Sequence, residues 1–471
     1  MAGSRRSLPA ESRADSAPAL GEGEAPAASD TALRAAVARS LERALPEGGR
    51  VGVALSGGRD SIVLLDVAAA VGAAARCELV ALHVHHGLSP HADEWMRFCG
   101  DACAARGIRL AARRVEVARG PRISLEAAAR GARYTALDAL AREQRATAVL
   151  LAHHADDQAE TVLLQLLRGA GPRGLAAMPA ARVDSGLWWL RPFLGLPRAT
   201  IEAYALRHAL RYVDDASNAD PRHRRNALRA SVVPALRALA PGYPQTLVRA
   251  ATHQAEAASL LDELAALDAR SACDGATLDC AALRALDAPR AGNLLRWFVR
   301  EQGLPAPSAA RLAEMLRQAT GAGADARIAI AHAGAELGVH RGRLALHRRA
   351  PEPYLREWTG ASTLELAHGT LLLAPVAGAG IAARHLASSR VTIRNGAPGE
   401  RLRVPGRASH RAVADLLREA GVPKWDRLAL PRVYCDDALA AVAGAGVDAA
   451  FAAARGEAGI ALDWRPAPAG R

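Results

Sequence analysis

The strongest constraint on the fold is a regular alternation of apolar runs with helical patterns between residues 31 and 170. Four apolar runs, VGVALS, LVALHV, IRLAARRVEV and ATAVLLA, are separated by stretches in which apolar side chains recur at helical spacing. Strands that alternate with helices in this way form a parallel sheet covered by helices on both faces. Ligands of such sheets bind beyond the carboxyl ends of the strands, so the residues directly after each strand are the first candidates for a site.

The remainder of the chain changes character after Asn226. Helical patterns dominate residues 228–320, a β-rich stretch follows, and the part after Pro351 mixes short strands with the helix HRAVADLLREAG. The first thirty residues are rich in Ala, Ser, Pro, Gly and Glu and lack an apolar run, which is typical of a disordered tail. We therefore predict a disordered tail over 1–30, an α/β domain over 31–230, a helical middle domain over 231–350 and a small α+β C-terminal domain over 351–471.

The net charge and the cysteine content limit the possible kinds of binding partner and the possible cellular compartments. The 471 residues include 60 Lys and Arg against 48 Asp and Glu, a net charge of +12, which favours a polyanionic partner. The six cysteines form no C-x-x-C pair, and no run of 18 strongly apolar residues exists. We therefore predict a reduced, cytoplasmic protein without a membrane segment. Lys424 is the sole lysine, which excludes a Gly-Lys-Ser/Thr P-loop.

The string SGGRDS at residues 56–61 joins the first predicted strand to a helix. Its glycines allow a tight turn and a close approach of the backbone to a ligand, and the helix that follows offers free N–H groups to an anion such as pyrophosphate. Asp60 requires a cation beside phosphates, and Mg²⁺ is the natural bridge. The alternative is a plain strand-to-helix turn in which Asp60 or Ser61 caps the helix.

The string HHADDQAE at residues 153–160 follows the fourth predicted strand. Imidazoles and carboxylates at the open edge of a sheet can perform acid–base chemistry or hold Mg²⁺. Two structural alternatives remain: Asp157-x-x-Glu160 fits a capping box with Asp157 at the cap, and the chain's histidines could form a zinc site. The histidines considered for zinc are His83, His85, His86, His153 and His154.

Two levels of resemblance follow from these motifs. ALSGGRDS resembles the pyrophosphate-binding loop of the ATP-pyrophosphatase (PP-loop) superfamily. LLAHHADDQAETVLLQLLRGAGPRGLAAMP, HVHHGL and EAAARGARY are similar to the corresponding segments of tRNA(Ile)-lysidine synthetases, as are DASN and RRNALR further along. The resemblance runs from about residue 48 into the C-terminal domain. It implies a Rossmann-like, adenine nucleotide alpha hydrolase-like N-terminal domain.

The resemblance also implies a reaction. Such enzymes convert the cytidine at the first anticodon position of tRNA(Ile) with a CAU anticodon into lysidine, using ATP and free L-lysine. The cytosine C2 oxygen is adenylated, and the lysine ε-amine then displaces AMP. The expected partners are thus ATP, Mg²⁺, lysine and this tRNA, while the oligomeric state stays open, with a dimer as one alternative.

The resemblance assigns roles to particular residues. The pyrophosphate would be held by Ser56, Gly57, Gly58, Arg59, Asp60 and Ser61, with Asp60 also acting in catalysis as the Mg²⁺ ligand. Adenine or ribose would lie beside His83 and His85. His153 and Asp157 would serve acid–base and substrate-orienting roles, and Arg130 or Arg133 would stabilise charge on the α-phosphate. The alternative for Glu126, Arg130 and Arg133, which share one helix face, is a solvated surface with a Glu–Arg pair.

The middle and C-terminal domains are expected to bind tRNA, and the C-terminal domain to read the acceptor stem. Positive side chains that would contact the RNA backbone are Arg224, Arg225, Arg229, Arg407 and Arg411. For the first three, a charged interdomain linker is the alternative. Arg407 and Arg411 would load the C-terminal helix with positive charge, and Trp425 is expected to pack.

Three rival functions remain. A tRNA 2-thiocytidine synthetase shares the PP-loop, although such sulfur transfer usually needs the paired cysteines that this chain lacks. A non-catalytic RNA-binding protein with a degenerate nucleotide fold would not need the intact strings at 56–61 and 153–157. A zinc hydrolase would use the histidines, and metal analysis would test it.

Overall fold

The computed structural model describes residues 25–45, 47–87, 89–117, 125–214, 224–321, 330–348 and 352–467. The chain divides into two compact units, with the boundary between Ala258 and Ser259. Among the described helices, none has both the length and the apolar character needed to cross a bilayer.

The first unit is built on a six-stranded sheet in the order β3-β2-β1-β4-β6-β5. Every pairing in it is parallel except that of the edge strand β5 with β6. The predicted parallel sheet is therefore confirmed, and β5 and β6 are additional strands that the sequence patterns did not reveal. The strands are β1 (Gly49–Ala54), β2 (Cys77–His85), β3 (Arg109–Arg114), β4 (Ala148–Leu150), β5 (Ala181–Asp184) and β6 (Leu187–Leu190).

Helices cover both faces of this sheet because its central strands are apolar on both sides. One core joins β1 to α1, α2, α3 and α7, and a second core joins β2, β4 and β6 to α4. The helices of this region are α1 (Ala25–Ala44), α2 (Arg59–Gly72), α3 (Ala92–Ala104), α4 (Leu125–Glu143), α5 (Ala155–Leu166), α6 (Pro172–Leu175), α7 (Arg198–Arg207), α8 (Arg224–Ser231), α9 (Val233–Leu239) and α10 (Tyr243–Ala272). Helix α10 contains the boundary between the two units.

The predicted tail over residues 1–30 is too long at its C-terminal end. Helix α1 begins at Ala25, and Asp30 forms a 2.7 Å contact with Nε2 of His208. Leu33 and Val37 of the same helix are fully buried, so this helix is part of the first core. Residues 1–24 lie outside the described part of the chain.

The second unit begins with three helices and an antiparallel sheet. Helices α11 (Cys280–Ala285), α12 (Ala288–Glu301) and α13 (Ala309–Gly321) pack on a sheet in the order β7-β8-β11-β10-β9. Strands β7 and β8 fall inside the stretch expected to be helical, where their shortness hides the pattern. The strands are β7 (Cys273–Asp274), β8 (Thr277–Asp279), β9 (Ile330–His332), β10 (Ala335–His340) and β11 (Arg343–Arg348).

The C-terminal region mixes strands with helices, as the sequence predicted, but it contains three short helices where the sequence predicted one. Two antiparallel sheets have the orders β12-β16-β19-β20-β21 and β13-β14-β22-β15, and β17 pairs with β18. The strands are β12 (Leu355–Glu357), β13 (Thr363–Leu366), β14 (Gly369–Ala377), β15 (Ile381–Ala382), β16 (Val391–Arg394), β17 (Arg401–Leu402), β18 (Arg411–Ala412), β19 (Arg432–Cys435), β20 (Ala438–Val442), β21 (Gly446–Val447) and β22 (Ala458–Pro466). The helices are α14 (Ala383–Ser388), α15 (Val413–Glu419) and α16 (Lys424–Arg427).

Trp425 packs, as expected, and its partner belongs to the middle region. Its ring stacks on His347 with centroids 4.5 Å apart and an interplanar angle of 4°. Gly338 lies beneath the indole, where a Cβ atom would come within 2.5 Å of the ring. An aromatic contact thus joins α16 to strands β10 and β11.

Candidate active site

The loop between β1 and α2 adopts a conformation suited to an anion. Gly58 is the N-cap of α2 and supplies no side-chain acceptor, so the capping role considered for Asp60 or Ser61 is not observed. The Ser61 hydroxyl donates to the Gly58 carbonyl at 2.8 Å and accepts from the Ser56 amide at 3.2 Å. These bonds shape the loop from within and leave the helix N-terminus open to a phosphate.

Gly57 is required by the backbone of this loop. Its φ of 87° lies in the region that favours glycine, and its carbonyl accepts a 2.9 Å hydrogen bond from the amide of Val213. A Cβ atom here would lie 3.2 Å from Sγ of Cys99. Helix α3 therefore packs closely behind the loop and leaves no room for a side chain.

The loop after β4 carries a capping box, but His154 and Asp157 form it, not the predicted pair of Asp157 and Glu160. His154 is the N-cap of α5: its backbone amide donates to Oδ2 of Asp157 at 3.2 Å, and its Nδ1 faces the Asp157 amide at 3.4 Å. The prediction of a box from Asp157 to Glu160 is wrong, because α5 begins at Ala155 and Asp157 already lies within its first turn.

His154 joins the two loops. Its Nε2 lies 3.6 Å from Oδ2 of Asp60 and 3.4 Å from Oδ2 of Asp157. Burial lowers the pKa of His154, but Asp60 and Asp157, with a smaller effect of Asp156, outweigh burial and raise the pKa above its ordinary value. Burial would raise the pKa of both Asp60 and Asp157, and His154 helps to lower each below its usual range. Both carboxylates are thus ionised at neutral pH.

His153 has the opposite electrostatics. Burial lowers its pKa to about 3, the carboxylate of Asp157 opposes that effect, and Arg191, Arg130 and Arg225 reinforce it. Its Nδ1 is buried and has no hydrogen-bond partner among the described residues. His153 is therefore a neutral hydrogen-bonding group in this structure and a poor proton acceptor.

Two arginines expected on an RNA-binding surface lie inside the site instead. Arg225 and Arg229 of α8 donate through Nε to Glu160 at 2.7 and 2.5 Å, and Arg229 also lies 3.3 Å from Asp157. The Glu160 side chain is only 5% exposed. These ion pairs attach α8 to α5, which explains why the two arginines lie at this site. Arg224, the third member of the set, is exposed.

The arginines of α4 face the same end of the sheet. Arg133 donates through Nε to Nε2 of His86 at 3.1 Å, and burial together with Arg133 lowers the pKa of His86 to about 4. The Arg130 guanidinium lies 5.2 Å from the ring centre of Tyr134. The Glu126 side chain lies outside the described residues, so its pairing with these arginines stays a prediction.

The histidines at the end of β2 are largely engaged with the protein. Nδ1 of His83 contacts the Leu55 carbonyl at 2.8 Å, and burial lowers the pKa of His83. His85 is buried with Nε2 3.2 Å from Oδ1 of Asp93. Within the described ranges, no three His, Cys, Asp or Glu side chains are placed to hold a metal ion, so the structure does not support the zinc alternative. A nucleotide contact of His83 and His85 stays a prediction.

In the C-terminal region, the expected placement of two arginines on a helix is wrong. Arg407 lies between β17 and β18, and Arg411 lies in β18, because α15 starts only at Val413. The Arg411 guanidinium is paired with Glu419, 2.8 Å from NH1, and Arg407 lies 3.6 Å from the same carboxylate. Glu419 therefore offsets much of the positive charge predicted for this surface.

Comparison with known proteins decides the family. Three family models match the chain: a PP-loop domain over residues 31–236, a TilS substrate binding domain over 278–345 and a TilS substrate C-terminal domain over 391–464. A tRNA(Ile)-lysidine synthase from Azoarcus sp. (strain BH72) is 42% identical over 89% of this chain and 92% of its own length. This chain belongs to the tRNA(Ile)-lysidine synthase family. A relative from Nitrosomonas europaea of the same name is 38% identical over 91% of this chain and 94% of its own length.

Membership in the lysidine synthase family confirms the resemblance, the fold class and the expectation of an ATP-binding enzyme of tRNA modification. Among solved structures, the U34-tRNA thiolase NcsA from Methanococcus maripaludis matches with a TM-score of 0.42 and 17% identity, covering 49% of this chain and 80% of that one.

Sequence reasoning missed three residues of this lysidine synthase site. His154 was considered within the HHADDQAE string and as a zinc ligand, and Glu160 as part of a cap, but neither was given a role of its own. Both contact other residues of the cluster directly. Arg191 follows β6 immediately, as His153 closely follows β4, and it is buried. The rule that site residues follow strands applies to Arg191, but the short strand LWWL gave too weak a pattern to be recognised.

Proposed function

We propose that this chain forms lysidine at the site described above, from ATP, free L-lysine and the first anticodon cytidine of tRNA(Ile) with a CAU anticodon. The observation that supports this most strongly is the meeting of Asp60 and Asp157 at Nε2 of His154, beside an open helix N-terminus. A phosphate-binding loop and a proton-handling loop thereby share one imidazole.

In this proposal the ATP pyrophosphate lies against the loop of residues 56–61, where the backbone N–H groups at the start of α2 face it. The cytosine C2 oxygen attacks the α-phosphorus, and the bond to diphosphate breaks. Arg130 or Arg133 stabilises the charge that develops on the α-phosphate oxygens, since both arise from the helix that lines this end of the sheet.

Mg²⁺ fits the residues present. Asp60 and Asp157 are ionised, and each has an oxygen within 3.6 Å of the same nitrogen, so both carboxylates are close to one point. Mg²⁺ usually takes one or two carboxylates together with substrate phosphates and waters. Asp60 would hold the ion, which would neutralise phosphate charge, and Asp157 would be a second ligand.

The second step requires removal of a proton from lysine. The ε-amine attacks C2 of the adenylated base, the C2–O bond breaks, AMP leaves, and the ammonium formed gives up a proton. We assign this proton to the His154–Asp157 pair, because Nε2 of His154 lies 3.4 Å from the Asp157 carboxylate, which would stabilise the imidazolium that forms. His153, which is neutral and has a buried Nδ1 without a hydrogen-bond partner among the described residues, would orient the substrate.

The decisive experiment incubates the full chain with ATP, Mg²⁺, radiolabelled lysine and a tRNA(Ile) transcript with a CAU anticodon. We expect label in the RNA and equal release of AMP. A transcript with a GAU anticodon is the control. A folded enzyme that labels neither transcript, or both, contradicts the proposal.

Two further proposals concern context. We place the reaction in the cytoplasm, where free tRNA, ATP and lysine meet, and fractionation of cells that express the chain tests this. For the oligomeric state we retain the dimer as the alternative to a monomer, and light scattering on purified protein distinguishes the two by mass.

A further inference from the structure

A second cluster of aromatic and basic side chains lies next to the loop that carries His153. We call it the Tyr134 platform, and it consists of Tyr134 and Arg130 of α4, Arg182 of β5, Trp189 of β6 and Arg191. In the strand order β1-β4-β6-β5, strand β4 separates β6 from β1, which leads into the phosphate loop. The platform is thus a neighbour of the catalytic loops but distinct from them.

Two guanidinium groups lie against the ring of Tyr134 and a third reaches its hydroxyl. The centres of Arg130 and Arg182 lie 5.2 and 6.0 Å from the ring centroid, and Arg182 also lies 5.5 Å from the ring of Trp189. NH2 of Arg191 donates to the Tyr134 hydroxyl at 3.5 Å, and the Tyr134 and Trp189 rings are 5.3 Å apart. The arrangement is an aromatic pair bordered by positive charge.

The positive charge of the platform is poorly compensated. Across the described ranges, Arg130 and Arg191 form no ion pair, and Arg182 has only Asp184 at 3.6 Å, where both side chains are exposed to solvent. Arg191 is 5% exposed, yet its buried Nε has no hydrogen-bond partner among the described residues. Mutual repulsion is consistent with the pKa of Arg191, which is lowered by burial and, to a smaller degree, by Arg182 and Arg130. Uncompensated arginines with an unused donor favour an anionic ligand.

The shape of the platform favours RNA over ATP. The Arg182 side chain is 42% exposed on an edge strand, so a large ligand can approach it from outside. Single-stranded RNA loops are recognised by aromatic rings and guanidinium planes that stack on bases, combined with arginine contacts to phosphates. The partly exposed ring of Tyr134 and the exposed guanidinium of Arg182 offer both, while the buried Trp189 packs against the Tyr134 ring. Arg130 and Arg191 act electrostatically on His153, which places the platform beside the catalytic loops.

We propose that the Tyr134 platform binds a nucleotide of the tRNA anticodon loop next to the modified cytidine, with Arg182 as the residue that contacts its phosphate or base and Arg191 as a positioning residue that orients Tyr134. The inference rests on the proposed function, since it presumes an anticodon loop at this site. It assigns Arg182, a residue outside every motif of the sequence, to substrate recognition.

The test compares Arg182→Gln with Arg142→Gln. Arg142 is a matched control, because it is an exposed arginine on α4 that pairs with Asp138 at 2.8 Å. We expect Arg182→Gln to raise the Kd and KM for tRNA(Ile) transcript about three- to tenfold, to reduce the slope of log K against log salt by about 0.7 to 0.9, and to leave the KM for ATP unchanged. Arg142→Gln should change none of these.

Several outcomes would contradict the proposal that the Tyr134 platform binds RNA. A raised KM for ATP with unchanged tRNA affinity would assign the arginines to the nucleotide, and wild-type values for both ligands would remove Arg182 from recognition. Arg182→Lys separates charge from stacking: it should restore the salt slope but only part of the affinity. Thermal melting of each variant excludes a folding defect. If the wild-type enzyme incorporated no lysine into the tRNA(Ile) transcript, that result would instead contradict the proposed function.

Discussion

Nε2 of His154 lies 3.6 Å from Oδ2 of Asp60, although the two residues belong to loops that follow different strands. The contact exists because β1 and β4 are parallel neighbours, so their carboxyl ends open at the same edge. It couples the charge of the Asp60 carboxylate to an imidazole that can carry a proton. A change at either loop should therefore affect the other.

Asp60→Asn should reduce lysine incorporation at least about 100-fold while leaving the fold intact. The amide keeps the shape of the carboxylate but loses the charge that raises the pKa of His154 and that would hold Mg²⁺ in the proposed reaction. Glu202→Gln is the control, since Glu202 shares Arg59 with Asp60 but touches neither His154 nor the loop backbone in the described contacts. The assay is radiolabelled lysine transfer. Near-normal turnover of Asp60→Asn would show that its assigned role is wrong.

Gly57→Ala should destabilise the protein by about 1–2 kcal/mol and weaken ATP binding, because it places a side chain at positive φ and 3.2 Å from Cys99. Gly87→Ala is matched to it, with φ of 64° and no atom within 4 Å of the added Cβ. Gly87→Ala should lower the free energy of unfolding because of its positive φ, but it should not weaken ATP binding. Urea unfolding and nucleotide titration measure the two effects, and equal ATP affinity in both variants would contradict the packing argument.

The adjacent histidines should respond to pH in opposite ways. The pKa of His154 is higher in the folded protein than its ordinary value of 6.5. The contribution of His154 to the free energy of unfolding is therefore fully present below pH 6.5 and is lost as the pH rises through the pKa of the folded state. The pKa of His153 falls to about 3, so the stability linked to it is present above 6.5 and is lost as the pH falls towards 3. NMR titration should find the His153 ring neutral at pH 5.

Asn substitutions separate these effects in unfolding experiments. His154→Asn keeps a capping side chain but removes the charge, so its destabilisation relative to wild type should be larger at pH 6 than at pH 8.5. His153→Asn should lose less stability than wild type between pH 6 and pH 4. A destabilisation of His154→Asn that does not change with pH would contradict the assigned ion pairs.

Glu160→Gln should destabilise the protein by about 3 kcal/mol, because it leaves Arg225 and Arg229 without the buried carboxylate that both contact. Chemical denaturation of the purified protein measures the loss. Glu256→Gln, which removes an exposed carboxylate on α10, is the control and should be nearly neutral. A small effect of Glu160→Gln would mean that α8 is held to α5 by other contacts.

Arg224→Gln should weaken tRNA binding and reduce its salt dependence, since Arg224 is exposed. Arg411→Gln removes the same charge but at a site already paired with Glu419, so it should weaken binding less. Filter binding of tRNA(Ile) transcript at several salt concentrations measures both. A larger effect of Arg411→Gln would show that the C-terminal surface contacts RNA despite its carboxylate.

The sequence predicted the architecture and the position of the two loops after β1 and β4, because both depend on local patterns. Apolar runs such as residues 51–55 mark buried strands, and the polar strings that follow them mark the loops at the ends of these strands. The sequence did not predict which partners meet across the fold. Arg225 and Arg229 both pair with Glu160, and charge alone cannot distinguish an unpaired surface arginine from one that pairs inside the fold.

Short elements were missed for a related reason. Strand β6 has only four residues, too few for a period to emerge, and without it Arg191 had no place at the edge of the sheet. The same holds for α15, whose start at Val413 removes Arg407 and Arg411 from the predicted helix. When a strand or helix spans only about two repeats of its pattern, its ends are set by tertiary contacts and cannot be read from the periodicity of the sequence.

The stacking of Trp425 on His347 has a practical consequence for work on relatives of this enzyme. The indole belongs to the part matched as a C-terminal domain, while the imidazole and Gly338 belong to strands of the preceding sheet. A chimera that exchanges the C-terminal part alone would bring a foreign residue against this pocket. Successful grafts should carry Gly338 and His347 along with Trp425, or restore all three by substitution.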